Sequence, residues 1–299
     1  MKNLNILQQL KHYGITPNKT FGQNFLLDEV VLHEIVEAAE LTPNDLVIEV
    51  GPGIGNLTRL LLEKAGHVIS VEKDTSLTSV LRDIKQDFPN YYFELGDVLH
   101  TTPRGLVENA SAKNRSFTGV SPDSYKVVAN IPYYITGKII RHFLAQHPRP
   151  SLMVLLMQKE VAENLTANEG DLNILGISVQ LYGKVEYVKR VPSDSFYPVP
   201  KVDSAIVKID LRQKSPFLIK DERQFFRVLK ACFLGKRKQI HNTLKNNLKL
   251  DELTVQELLS NIEIDPKTRP QQLSIQKWIE LSEEISLLEH KKRFPPSRE

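Results

Sequence analysis

The stretch Val47-Ile48-Glu49-Val50-Gly51-Pro52-Gly53-Ile54-Gly55-Asn56 decides how this 299-residue chain is read. A β-prone run enters a glycine turn, and Leu57 to Lys64 then carries helical spacing. Glycines at 51, 53 and 55 let the backbone turn sharply and approach a ligand closely. A dinucleotide fingerprint requires Gly or Ala three residues after Gly53, to seat a pyrophosphate at the helix start, and position 56 is Asn. The turn therefore suits a bulkier ligand without phosphate, or simply a tight strand–helix connection.

The same alternation continues on both sides. His67 to Val71, Tyr91 to Leu95, Tyr125 to Ala129 and Leu152 to Met157 have the β-branched and aromatic content of buried strands, with helical stretches at Ser76 to Asp87 and Gly137 to Ala145. This pattern predicts an α/β fold, a doubly wound parallel sheet with helices on both faces. Lys184 to Val191 and Ser204 to Leu211 add strands around a Pro-rich turn. Beyond Lys214 only helical patterns remain, at Asp221 to Phe233, Lys236 to Leu248, Val255 to Asn261 and Ser274 to Leu288. The chain divides into residues 1–211 and a small all-helical C-terminal domain, 212–299. His100 to Ser124 reads as a long mobile polar connection, and the tail from about residue 290 as a disordered end.

Composition narrows the function classes. With 41% hydrophobic and 25% charged residues the chain is an ordinary globular protein. A single cysteine, Cys232, excludes an internal disulfide and a cysteine metal cluster, and no metal is expected. No signal peptide or bilayer-length apolar run is present, which gives a cytoplasmic expectation without membrane contact. Net charge is only +3, but Arg212 to Leu250 holds eleven Lys/Arg against two acids. That block is either a polyanion footprint or a solvated helix face, and charge alone leaves both open.

The strand ends carry the chemistry. Glu72 ends the strand after the glycine turn, where a carboxylate can accept both hydroxyls of a ribose. Asp97 follows the third strand and can accept from an adenine amino group. Each acid alone is an ordinary cap or loop residue. Their succession along one sheet edge points to an adenosine-containing cofactor. Upstream, Gln23 and Asn24 offer amides suited to an amino-acid end and Leu26 a cover for the ring, although Asp28 also reads as a plain helix cap.

Asn130-Ile131-Pro132-Tyr133 follows the fourth strand. An adenine N6 is a poor nucleophile because its lone pair is delocalised into the ring. Accepting hydrogen bonds from both N–H groups, through the Asn130 side chain and the Ile131 carbonyl, favours a tetrahedral nitrogen, and Pro132 stiffens the segment. Tyr133 offers a stacking plane. The plain alternative is a strand-terminating turn. Phe196, in the turn Phe196-Tyr197-Pro198-Val199-Pro200-Lys201, is a candidate second stacking ring, or else a core residue, and Lys201 a candidate phosphate contact.

Together the motifs resemble the small-subunit ribosomal RNA adenine N6,N6-dimethyltransferase family. The similar stretches are Phe21 to Leu26, Glu49 to Gly55, Asn130 to Tyr133, Met157 to Ala162, Phe196 to Ser204, Phe233 to Lys238 with Asn242 and Leu244, and Arg269 to Ser274. The family's usual Leu is Ile131 here, a neutral change where the backbone acts. The resemblance implies a Rossmann-like class I methyltransferase domain at 1–211, with an N-terminal cofactor-covering segment, and a helical RNA- and ribosome-binding domain at 212–299. It implies S-adenosyl-L-methionine as cofactor, with S-adenosyl-L-homocysteine as product. Asn24, Leu26, Gly51, Glu72, Asp97 and Asn130 would contact that cofactor, along with Gln23, Gly53 and Gly55; Lys236, Arg237 and Lys238 would meet RNA. Its implied reaction is dimethylation of two adjacent adenosines near the 3′ end of small-subunit rRNA. The substrate would be a pre-30S particle late in assembly, met by an enzyme that is monomeric when free. Rival readings are a macrolide-resistance type methyltransferase acting on 23S rRNA, a non-catalytic assembly or transcription factor of the same fold and, more distantly, a dinucleotide oxidoreductase.

Overall fold

The computed structural model describes residues 6–213, 216–235 and 237–293. Two compact units are present. The first comprises residues 1–163 and 183–213, and the second 164–182 and 214–299. Residues 164–182, expected in the first domain, belong with the helical unit because Leu172, Ile177 and Leu181 are buried in its core.

The first unit begins with helix α1 (Ile6–His12), strand β1 (Phe25–Leu26) and α2 (Glu29–Ala38), which Asp28 caps by accepting from the Val30 and Val31 amides. The α/β repeats follow as β2 (Leu46–Val50), α3 (Asn56–Lys64), β3 (His67–Glu72), α4 (Thr78–Asp87), β4 (Tyr91–Leu95), α5 (Pro103–Lys113), β5 (Lys126–Asn130), α6 (Thr136–Leu144) and β6 (Leu152–Gln158). After α7 (Lys159–Leu165) and α8 (Ile174–Gln180), which lead into the other unit, β7 (Lys184–Val191), β8 (Phe196–Tyr197) and β9 (Ser204–Asp210) complete the strands. The main sheet has the order β4-β3-β2-β5-β6-β9-β7. Its first five strands are parallel, and β9 runs antiparallel to both β6 and β7. β2, β5 and β6 are almost wholly buried, as doubly covered parallel strands should be. Edge strand β7 instead carries exposed charges such as Lys189 and Arg190, which discourage edge-to-edge pairing.

The order reverses between β2 and β5. That switch point opens a crevice at the carboxyl ends of the strands, the usual ligand position in such sheets. Gly55 caps α3 at φ +80°, and a Cβ there would collide with Ile84 of α4. This glycine sets the packing of the turn.

The expectation of a mobile connection from His100 to Ser124 is corrected. Thr102 caps α5 by accepting from the Gly105 amide at 3.1 Å, and Leu106, Val107 and Ala110 are buried. Phe117, fully buried, packs against His67 with ring centroids 4.9 Å apart. The polar majority of the segment hides a narrow apolar face.

The second unit adds α9 (Glu222–Phe233), α10 (Ile240–Asn247), α11 (Glu252–Asn261) and α12 (Ile275–Arg293) to α8. Phe225, Leu229, Cys232, Leu259 and Trp278 form its core. Asp221 and Asp251 cap α9 and α11. α10 starts at Ile240, after a hydrogen bond from the Lys238 amide to the Gly235 carbonyl at 2.7 Å; Lys236, the expected first residue of this helix, lies outside the described residues. α12 runs on to Arg293, past the expected start of a disordered tail at 290; residues 294–299 lie outside the described residues.

Candidate active site

A cavity of about 270 Å³ sits at the switch point. Its walls come from the turn after β2, the ends of β3, β4 and β5, and the segment Phe21 to Phe25. Gly51, Gly53, Glu72, Asp97, Gln23, Asn24 and Asn130 all line it, as do Ile131, Pro132 and Tyr133. Four loops far apart in sequence thus converge because successive parallel strands end on one edge.

Glu72 is buried, and both its oxygens accept from backbone. Oε2 takes the Gly53 amide at 3.3 Å and Oε1 the Asp74 amide at 2.8 Å. The acid therefore holds the glycine turn against β3. Burial pushes its pKa up, and the backbone hydrogen bonds work against that. Gly51, at φ +68°, has open space where a Cβ would stand, so that a ligand can approach its backbone. A buried carboxylate accepting beside a bare glycine backbone is a donor–acceptor set that fits an adenosine-type cofactor.

Asp97 caps the short turn after β4 by accepting from the Leu99 amide at 3.0 Å. Its other oxygen accepts from the Lys73 ammonium at 2.9 Å. Burial favours the neutral acid, but these hydrogen bonds outweigh it and hold Asp97 below the usual range. Lys73 lines the cavity too. Sequence reasoning missed it, since one lysine after a strand carries no signal.

Asn130 closes β5. Its Nδ2 donates to the Asn24 carbonyl at 3.2 Å, which leaves Oδ1 as the acceptor of the side chain. The Ile131 amide donates to the Leu156 carbonyl at 3.0 Å, pinning the segment to β6. Pro132 follows at φ −55°. Tyr133 is held by a 2.7 Å hydrogen bond between its hydroxyl and Ser204 Oγ, and burial raises its pKa.

Gln23 lines the cavity, yet both ends of its amide bond within the protein. Nε2 donates to Asp74 Oδ2 at 2.6 Å and Oε1 accepts the Asn18 amide at 2.8 Å. It fastens the upstream segment to the end of β3. Four expected site residues of this unit lie elsewhere. Leu26 is only 4% exposed and does not line the cavity; its neighbour Phe25 does, as strand alternation requires. Gly55 acts through helix packing. Phe196 is 1% exposed, because the pairing Leu26↔Phe196 of β1 with β8 turns it into the core, so the core reading of this ring holds in this structure. Lys201 is exposed and away from the lining.

In the second unit Arg237 and Lys238 are exposed, and Lys236 falls outside the described residues. The apolar wall from Val98 and Leu99, the rim residues Tyr134 and Lys138, and Phe21 and Phe25 were not identified from sequence. Only Phe21 and Phe25 had a signal, their place in the motif beside Gln23.

The family described as ribosomal RNA adenine dimethylase matches residues 14–287. The ribosomal RNA small subunit methyltransferase A of Dehalococcoides mccartyi is 39% identical over 271 residues, covering 91% of this chain and 89% of the relative. The crystal structure of a dimethyladenosine transferase from Plasmodium falciparum superposes with TM-score 0.70 at 29% identity, covering 90% of this chain and 98% of that one. That of the 23S rRNA methyltransferase ErmE gives 0.68 at 28%, covering 88% and 100%.

Proposed function

Because the chain belongs to the ribosomal RNA adenine dimethylase family, we propose that its switch-point cavity is where an adenine of small-subunit rRNA meets S-adenosylmethionine. The chain is an S-adenosylmethionine-dependent methyltransferase that dimethylates adenine N6 in small-subunit (16S) rRNA. Its finer targets are two adjacent adenosines near the 3′ end, in a pre-30S particle at a late assembly step in the cytoplasm. The free protein is a monomer.

Glu72 would hold the cofactor by accepting from its ribose hydroxyls and Asp97 by accepting from its adenine amino group, with Asn24 and Gly51 available to its amino-acid end. The cofactor supplies an electrophilic methyl on sulfur. The target adenine is turned out of its stack to enter the cavity. Asn130 Oδ1 and the Ile131 carbonyl then accept from the two N6 protons, which localises the lone pair on nitrogen. Tyr133, fixed by Ser204, would stack the base and so orient its N6 for transfer of the methyl group that the cofactor would supply. The alkylated nitrogen is acidic and loses its proton readily, so no strong base is needed.

The observation that carries this reading is the Asn130–Asn24 hydrogen bond, which commits the amide orientation and offers Oδ1 to a donor. Incubation of unmethylated small-subunit particles with protein and cofactor, read by mass spectrometry of the rRNA, tests it. The likeness to ErmE keeps 23S rRNA as a second substrate to assay in parallel. Methylation confined to 23S rRNA would transfer the assignment to that reading; absence of turnover on both would favour a non-catalytic factor.

A further inference from the structure

The cavity rim carries groups that methyl transfer does not use. Tyr134 is 59% exposed and lines the cavity directly after Tyr133. Its ring rests against Gly22, where an added Cβ would come within 3.3 Å of two ring carbons. The ring is thus backed on one side and open on the other. Lys138, in the first turn of α6, is exposed, lines the same cavity and has no ion pair among the described residues. Lys73, the other lysine of the lining, is already bound by Asp97.

We infer that Tyr134 and Lys138 form a subsite for the nucleotide next to the target: Tyr134 stacks its unpaired base and Lys138 meets the phosphate joining the two. This rests on the reading of the cavity as an adenine site in RNA. Turning one base out of a stack exposes a face of its neighbour, and an aromatic ring at the mouth replaces the departed base. Stacking tolerates any base, but where two adenosines in succession are modified the neighbour is itself the second substrate. The rim holds it in reach while the first is processed. Tyr133 and Tyr134 are then not duplicates. The first is tied down by Ser204 and serves the reacting base, and the second stands in solvent and serves the waiting one.

Equilibrium binding of a short single-stranded RNA with two adjacent adenosines tests this directly, in the presence of S-adenosylhomocysteine. A second RNA carries an abasic site beside the target adenosine. Tyr134→Ala should weaken binding of the intact RNA about tenfold, while Tyr134→Phe stays within about twofold of the parent. The abasic RNA should bind the parent and Tyr134→Ala alike, since the stack is already gone. Lys138→Gln should reduce the log–log salt slope by about 0.7, one single-strand phosphate. Affinity for S-adenosylhomocysteine, measured alone, should be unchanged in all three variants. Parent-like binding by Tyr134→Ala, equal losses in the Ala and Phe variants, or an unchanged penalty for the abasic RNA in Tyr134→Ala would overturn the subsite. Turnover is not read here, so failure of the methyltransferase assignment would show separately, as unmethylated adenosine in the particle assay.

Discussion

In the α/β unit, Gln23, Asn24, Glu72, Asp74 and Asn130 bond to one another or to nearby backbone around a cavity. In the helical unit, polar charge stays outside: Arg223, Lys230, Arg237 and Lys238 are exposed while Phe225, Cys232 and Trp278 close an apolar core. The first arrangement fixes donors and acceptors before any ligand arrives, which suits chemistry. The second leaves cations exposed to water, an arrangement that would attract a polyanion without fixing its register if this unit holds RNA as proposed. Catalysis and RNA holding should therefore separate on mutation.

The largest effect is expected inside the cavity. Asn130→Ala removes a preorganised acceptor at the reacting nitrogen and should lower kcat/KM by about 10²–10³. Methylation rates on the particle check this; a loss of only a few-fold would place the essential contacts elsewhere. Next, Glu72→Ala removes a carboxylate that accepts twice from backbone and is proposed to hold the ribose. Affinity for S-adenosylhomocysteine should fall about 10–100-fold by calorimetry, the scale of a hydrogen bond to a charged group. Binding within about twofold of the parent would remove Glu72 from the cofactor site.

A smaller change is expected in the other unit. Neutralising Lys236, Arg237 and Lys238 together should weaken RNA binding and flatten its salt slope by about 0.7 for each single-strand phosphate no longer neutralised. Cofactor affinity should not move. A shift in cofactor affinity would break the separation of the two units, and an unchanged slope would make the basic block a solvated face.

The smallest effect concerns stability. Glu49 is fully buried, accepting from Thr58 Oγ1 at 2.8 Å and Ser70 Oγ at 2.6 Å, and burial raises its pKa from 4.5 to about 7. A raised carboxyl pKa means that the folded state binds the proton more tightly than the unfolded one. Its contribution is full below the unfolded value and is lost as pH rises towards about 7. Glu49→Gln keeps an acceptor without charge. It should be more stable than the parent above neutrality and lose that advantage at pH 5. Parallel melting-temperature curves for the two proteins across that range would contradict the assignment.

How far the sequence reveals this follows from the same contrast. The glycine turn, Glu72, Asp97 and Asn130 are legible because parallel strands must end on one edge, and a residue just past a strand end faces the crevice. Leu99 and Tyr134 reach the cavity through tertiary placement that no local spacing encodes, and Lys73, though just past the end of β3, was missed because a lone lysine there carries no signal of its own. Phe196 shows the limit from another side. A two-residue ladder with β1 turns it into the core, and a pairing that short leaves no periodic trace. α5 escaped because its few buried residues are outnumbered by polar ones. The helix expected from Lys236 begins only at Ile240, because the turn closed on the Gly235 carbonyl is a tertiary detail that helical spacing does not encode.

The most direct test of the central claim is mass spectrometry of rRNA from unmethylated small-subunit particles incubated with the protein and S-adenosylmethionine, beside the same experiment with Asn130→Ala. Two adjacent N6,N6-dimethyladenosines near the 3′ end, formed by the parent and nearly abolished in the variant, are predicted. Unmodified small-subunit rRNA, or equal modification by both proteins, would contradict the assignment of the Asn130-to-Tyr133 segment as the adenine site.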